Sequence, residues 1–408
     1  MNILLINHYA GSPQYGMEFR PYYMAREWMR YGNKVLVLGG SFSHLRKKQP
    51  SKEFENLDGV DYSWVSLNRY RGNGVGRVIS MFLFVVKIFV RYMHYLQGFI
   101  PDVVIASSTY PIDIYPARKI SVHFNAKLIY EVHDLWPLSP MELGGYSKNH
   151  PFIKIMQYAE NYAYGHVDAV VSMLPKAEVH MKKHGLAEGK FFYVPNGVVK
   201  EDWEKLKELP NEHETLLNEL KDEGKCIVGY TGAHGIANSL YSIINAVSSL
   251  VKENVVLVLV GTGQEKSNLI EYVKKKNFTN VFFLPPLTKL EVPALLDKMD
   301  ILYIGLQKQS LFRFGISPNK IFDYMMASKP IIQAITAGNN LVQEAKCGLY
   351  VEPDNVTEIK KAILAIMSMS QEDKLILGSN GKNFVEANHT YNVLGKKFLD
   401  IMIKISSK

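Results

Sequence analysis

The chain has 408 residues, 47% hydrophobic and 21% charged, which supplies apolar material for one large or two ordinary cores and excludes disorder over most of its length. With only two cysteines, Cys226 and Cys347, a disulfide-built scaffold is excluded, and both are expected to be buried thiols. The net charge of +8 is uneven: residues 1–100 carry 13 basic and 6 acidic side chains, so an anionic partner (lipid, nucleic acid or phosphorylated substrate) is expected near that region.

Met1-Asn2 leads into the apolar run Ile3 to Ile6 with neither a basic region nor a small-residue cleavage site, so the expected location is the cytoplasm. A strand over 2–7 is followed by a turn-rich loop holding Gly11, Ser12 and Pro13 and closed by Gly16. A helix over 19–31 and a buried strand over 34–38 come next. Strand, glycine-bearing loop, helix and strand make a βαβ unit of a parallel sheet. The segment 77–98 is long and apolar, but Lys87 and Arg91 interrupt it short of the roughly 20 residues a membrane span requires. Lys87, Arg91 and His94 share one helical face, the pattern of a basic interfacial helix. The alternative is a core helix with a narrow solvated stripe. Strands over 103–106, 127–132, 169–172 and 191–194 complete a first domain, 1–200.

Residues 201–225, dense in Glu and Lys, read as a linker with helical content. Apolar runs at 226–230, 255–260, 281–284, 301–304 and 330–334, with helical pattern between them, predict a second doubly wound domain, 226–390. A last helix over 392–405 is long enough to cross back onto the first domain, to which 391–408 is assigned. The expected fold class is α/β: two Rossmann-like, doubly wound parallel-sheet domains facing across a cleft, with ligands at the carboxyl ends of the sheets.

Within the second domain, Gly315-Ile316-Ser317-Pro318-Asn319-Lys320-Ile321-Phe322-Asp323-Tyr324-Met325 is the most informative stretch. Ser317 suits an N-cap and Pro318 the first helical position. The free N–H groups there attract an anion, and Lys320 adds charge. Lys320, Asp323 and Tyr324, at i, i+3 and i+4, share a face. That suits a nucleoside diphosphate, with phosphates on the helix end and Lys320 and ribose hydroxyls on Asp323. An ordinary capped helix with solvated Lys and Asp is the plainer alternative. The loop Gly232-Ala233-His234-Gly235 has two glycines that allow close approach to phosphate, or serve a plain βα turn. No Asp-x-Asp and no Cys or His cluster at ligand spacing is seen, so no metal is expected. The basic residues of the first hundred interleave with apolar runs, unlike a nucleic-acid-reading module, and no nucleic-acid partner is expected.

The ordered set Tyr15-Gly16, Glu131 to Pro137, Val194 to Val198, Tyr230-Thr231-Gly232, Val260 to Gly263 and Ser317 to Ala327 resembles the retaining glycosyltransferases of family 4, which have the GT-B fold, over essentially the whole chain. The Ser317 to Met325 run is similar to a subgroup that builds bacterial surface polysaccharide, O-antigen or capsule, and includes transferases of N-acetylated deoxyaminosugars. The resemblance implies transfer of such a sugar, with retention, from a UDP-sugar donor to an acceptor carried on polyprenyl diphosphate. It implies no cofactor and no essential metal, and an enzyme held peripherally at the cytoplasmic membrane face through 77–98. It assigns donor binding to Gly16, Gly232, His234, Gly235, Gly263, Ser317, Pro318, Asn319, Lys320 and Asp323, and catalytic roles to Lys320 and to His133 beside the donor sugar. The chain departs from the family where Gly315 replaces the first of two usual glutamates, Asp323 matching the second. The usual lysine after the second domain's glycine loop is also missing, with Asn238 and Ser239 in that neighbourhood. Lys320 and Ser317 are expected to take over the diphosphate. A UDP-sugar 2-epimerase on the same fold is the alternative activity.

Overall fold

The computed structural model describes residues 1–72, 74–205 and 207–407. The chain divides into two compact units: Met1–Asn196 with Phe314–Ser317 and Tyr391–Lys408, and Gly197–Arg313 with Pro318–Thr390.

The first unit is built on an eight-stranded sheet: β1 (Asn2–Ile6), β2 (Lys34–Gly40), β3 (Phe54–Leu57), β4 (Val60–Val65), β5 (Val103–Ala106), β6 (Lys127–Val132), β7 (Ala169–Ser172) and β8 (Phe191–Tyr193). Their order is β3-β4-β2-β1-β5-β6-β7-β8, parallel except for the β3–β4 hairpin. The central strands are almost wholly buried, which is why they read as unbroken apolar runs. The hairpin was not expected. Its first strand, Phe-Glu-Asn-Leu, is a half-exposed edge without an apolar run, and the turn Asp58-Gly59 takes the positive φ angles of a tight hairpin connection. The strand order reverses between β1 and β5, the switch point at which open α/β sheets bind ligands. The helix Tyr391–Ser406 packs on the helix Arg20–Arg30: the Trp28 indole donates to the Gly395 carbonyl (3.2 Å) and its ring meets Phe398 edge-on.

The second unit carries β9 (Cys226–Thr231), β10 (Val255–Val260), β11 (Val281–Leu284), β12 (Ile301–Gly305), β13 (Ile331–Ala334) and β14 (Gly348–Tyr350), all parallel, in the order β11-β10-β9-β12-β13-β14. Its core gathers Val228, Tyr230, Leu257, Leu259, Tyr303 and Ile332 from the strands with Ile243, Ile244 and Ile363 from the covering helices. The switch point lies between β9 and β12. The stretch expected as a linker, 201–225, groups with this unit, and its helix Asn211–Asp222 buries His213, Leu217 and Leu220. Leu206 within that stretch, and Lys408 in the terminal segment, lie outside the described residues. Cys347 is buried and Cys226 only partly so, and both are free thiols.

Candidate functional site

At the end of β9 the backbone turns through Gly232, whose φ of 144° favours glycine and whose missing Cβ leaves room for Lys320 Nζ at 3.1 Å from where it would stand. Lys320 arrives from the helix Asn319–Met326. Its ammonium donates to Tyr230 Oη (2.7 Å) and Asn238 Oδ1 (3.0 Å) and has no carboxylate partner among the described residues. Burial pulls it down to about 7, so it is poised to gain from an anion. Asn238, where the family's usual lysine is missing, therefore serves to orient Lys320. Tyr324, one turn on, brackets the strand end by accepting from Thr231 N (2.9 Å) and donating to Thr231 O (3.3 Å).

Gly235 has open neighbourhood, with Asn238 Nδ2 3.6 Å from a hypothetical Cβ, so nothing in the fold requires glycine there. Gly261 and Gly263 are required by packing between loops: a Cβ on the first would fall 1.9 Å from the Gly232 carbonyl, and on the second 2.3 Å from that of His234. His234 is fully buried with neither ring nitrogen hydrogen-bonded among the described residues. Burial, then Lys266 and Lys320, pull it down to about 4, so it is a neutral imidazole at physiological pH. Lys266 was not anticipated. Three residues past Gly263, it donates to the carbonyls of Gly261 (2.7 Å) and Leu284 (2.8 Å) and adds a second positive charge beside the loops.

The helix begins differently from the expectation. Pro318 takes the N-cap position with extended backbone and no side-chain cap, and Asn319 is the first helical residue. Ser317 cannot cap, because its hydroxyl accepts from Asn196 N (2.8 Å) while its carbonyl accepts from Asn196 Nδ2 (2.9 Å). The Pro195-Asn196-Gly197 motif thus has a structural task, clamping the residue before the helix. Lys320 and Asp323 have different neighbours within the protein. Asp323 looks toward residues 202–203 and 289: burial pushes it up to about 6, with Lys289 pulling down, Asp202 pushing up and the Trp203 side chain bonded to it.

In the first unit, polar side chains converge at the carboxyl ends of β1, β5 and β6. Ser107 Oγ donates to Glu131 Oε2 (2.5 Å) and lies 3.0 Å from His133 Nε2, itself 3.3 Å from the same carboxylate. Glu131 is gripped by Arg20, whose Nε donates to Oε1 (2.9 Å) while its other nitrogens donate to the Pro195 (2.6 Å) and Val194 (3.0 Å) carbonyls. Burial acts to raise Glu131, but Arg20, His133 and Ser107 together hold it at about 2. Glu131 is therefore a permanent anion that orients His133. Gly16 sits against its own chain: a Cβ there would lie 3.1 Å from Lys47 N, so the space its small size opens is filled by residues 46–47.

The amphipathic helix runs Val75–Leu96. Its inner face buries Met81, Phe84, Ile88, Tyr92 and Tyr95, and its outer face exposes Val75, Ile79, Val86, Phe89, Val90 and Met93. The basic residues flank that stripe and do not fill it: Lys87 donates to the Ser66 carbonyl (2.8 Å), and Lys119 of a neighbouring helix lies over the Phe89 ring. No helix among the described residues is long and apolar enough to cross a membrane. One sequence expectation needs correction: a ligand-spaced histidine pair exists, His180 and His184, and the fold brings Glu160 to it.

No curated protein matches the sequence. The fold is similar to that of a sucrose-phosphate synthase from Thermosynechococcus elongatus (TM-score 0.74, 15% identity, 100% of this chain and 99% of that one). It is also similar to Anabaena HepE in complex with UDP-glucose (TM-score 0.68, 14% identity, 99% and 100%) and to WaaG, a glycosyltransferase involved in lipopolysaccharide biosynthesis (TM-score 0.66, 14% identity, 98% and 99%). These likenesses establish the two-domain GT-B fold. Residues 15–202 match the family described as Glycosyltransferase Family 4 and residues 225–369 that described as Glycosyl transferases group 1, so the chain carries a glycosyltransferase domain of each kind.

Proposed function

We propose that this glycosyltransferase moves a sugar from a UDP-sugar to a lipid-linked saccharide acceptor, with retention, while resting on the cytoplasmic membrane surface. The observation that carries the donor reading is Lys320: a largely buried ammonium without a carboxylate partner among the described residues, beside Gly232 at the switch point of the second sheet. HepE, of the same fold, is seen with UDP-glucose. Lys320 and Lys266 supply positive charge where a divalent ion would otherwise neutralise the diphosphate, and Asp323 takes the ribose hydroxyls. Glu131 is committed to Arg20 and is not assigned the role of a nucleophile. Stabilising the departing diphosphate and holding the sugar against His133 then carry the chemistry.

Calorimetry with UDP, GDP and ADP tests this. UDP binds with or without magnesium ion, and Asp323→Ala weakens it by about tenfold, the worth of a charge-assisted hydrogen bond. His133→Ala leaves UDP affinity within about twofold and lowers turnover instead. Failure of all three nucleotides to bind would defeat the donor reading.

The acceptor and membrane reading rests on the exposed stripe Val86, Phe89, Val90 and Met93, flanked by Lys87 and Arg91. WaaG, of the same fold, is involved in lipopolysaccharide biosynthesis. The double variant Val86→Glu, Val90→Glu is expected to reduce binding to anionic vesicles by at least about tenfold, since two apolar contacts become charges that the surface repels. Its UDP affinity stays unchanged. Equal sedimentation of variant and parent with vesicles would refute the membrane role.

A further inference from the structure

The helix Glu178–Lys183 and its C-cap place His180 and His184 one turn apart, and the helix Pro151–His166 brings Glu160 against them. One ligand atom from each of the three lies within 4.8 Å of the others. Glu160 is buried, with its side chain 1% exposed, and its charge partner among the described residues is His180, Nε2 to Oε1 at 2.9 Å. A buried carboxylate is stabilised by a nearby cation, and this one has imidazoles beside it in place of a guanidinium or ammonium. Gln157 Nε2 has two hydrogens and three neighbours: Glu160 Oε2 (2.7 Å), Asn161 Oδ1 (2.8 Å) and His184 Nδ1 (3.0 Å). His184 Nδ1 also lies 3.0 Å from Asn161 Oδ1. With a hydrogen on Nδ1, His184 donates to Asn161 Oδ1 while the two Gln157 hydrogens serve Glu160 and Asn161; with a cation in place, Glu160, Asn161 and His184 all turn lone pairs toward it, and the Gln157 amide can turn its oxygen inward.

We propose that Glu160, His180 and His184 form a site for a divalent transition-metal ion of the zinc type, with Asn161 at its exposed rim. Two imidazoles and a carboxylate suit zinc, with water completing four-coordination, and the Tyr164 hydroxyl, donating to Glu160 Oε1 (3.1 Å), orients the carboxylate from behind. The His180 ring also packs against Phe314, whose carbonyl accepts from Lys176 N (2.9 Å). The ion would thus stiffen the support of the segment that leads to Ser317, a structural role separate from the sugar-transfer chemistry.

The test uses the full chain, stripped with chelator, and zinc chloride titrated in competition with a chromophoric chelator. One equivalent is expected to bind, with an affinity that falls at least tenfold in His184→Ala and in Glu160→Gln and is unchanged in the control His150→Ala. Cobalt substituted at the site should show visible absorption of a four-coordinate nitrogen and oxygen complex, absent from His184→Ala. His184 is half-buried and its variant is expected to keep the parent's circular dichroism. Absence of stoichiometric binding, or binding that His184→Ala leaves intact, would overturn the assignment.

Discussion

Replacing Lys320 with methionine should lower kcat/KM about a hundredfold to a thousandfold, the usual effect of removing one preorganised stabiliser of transition-state charge. The aliphatic stem is retained, whereas the ammonium over the Tyr230 ring and its hydrogen bonds are lost, so the loss reports the charge. A second signature separates this role from a structural one. The free amine sits at about 7 because burial disfavours its charge, and a bound diphosphate favours the protonated form and raises it. UDP affinity is therefore fully expressed below pH 7 and declines as pH rises through and above that value, with a proton taken up on binding in that window. Calorimetry in buffers of different ionisation enthalpy measures the uptake, and subtracting the Lys320→Met result removes the titration of the nucleotide's own phosphate. Equal proton uptake by parent and variant would remove Lys320 from the diphosphate site.

Arg20→Met should be the most destabilising single substitution in the first unit, by about 3–5 kcal/mol, because it strands a buried carboxylate and releases two backbone carbonyls. The pH dependence has a definite sign. Glu131 is held at about 2 against an ordinary 4.5, so its contribution is present above pH 4.5 and is lost as pH falls toward 2. Without Arg20 the carboxyl is raised by its burial and protonates early, which relieves the variant. The gap between parent and variant in urea denaturation is therefore widest near neutrality and narrows on acidification. A gap below about 1 kcal/mol at pH 7, or one that widens in acid, would mean that the pair is not what secures β6 to the Arg20 helix. The same variant frees Glu131 from its anchor, so His133 loses its fixed orientation and turnover falls with stability.

How far the chain could be read beforehand depends on the kind of information involved. The strands β5, β6, β7, β10 and β11 coincide residue for residue with the expected runs, because buried parallel strands are mostly apolar, β6 carrying Lys127 and Glu131 as exceptions. The β3–β4 hairpin and β14 escaped because β3 and β14 are short strands without a fully buried run and β4 is interrupted by the exposed Asp61. The helix bearing Lys320 was legible in its periodicity, and its family resemblance in the ordered motifs, both of which are local.

What the linear order could not convey is who stands beside whom. Ser317 has the side chain of a helix cap, and the competitor that takes its hydroxyl, Asn196, is 121 positions away. Glu131 stands two positions before the His133 it orients, yet the guanidinium that fixes its charge lies 111 positions upstream. The apolar helix Val75–Leu96 announces its hydrophobicity, but hydrophobic residues look alike whether a sheet covers them or nothing does, and only the packing reveals the bare stripe from Val75 to Met93. His180 and His184 are a visible pair that gains meaning from Glu160, delivered by a different helix. Backbone periodicity and the hydrophobic pattern are set by near neighbours along the chain, and so the elements are written in it. Charge state, burial and ligand geometry are sums over neighbours in space, and those arise when the elements pack.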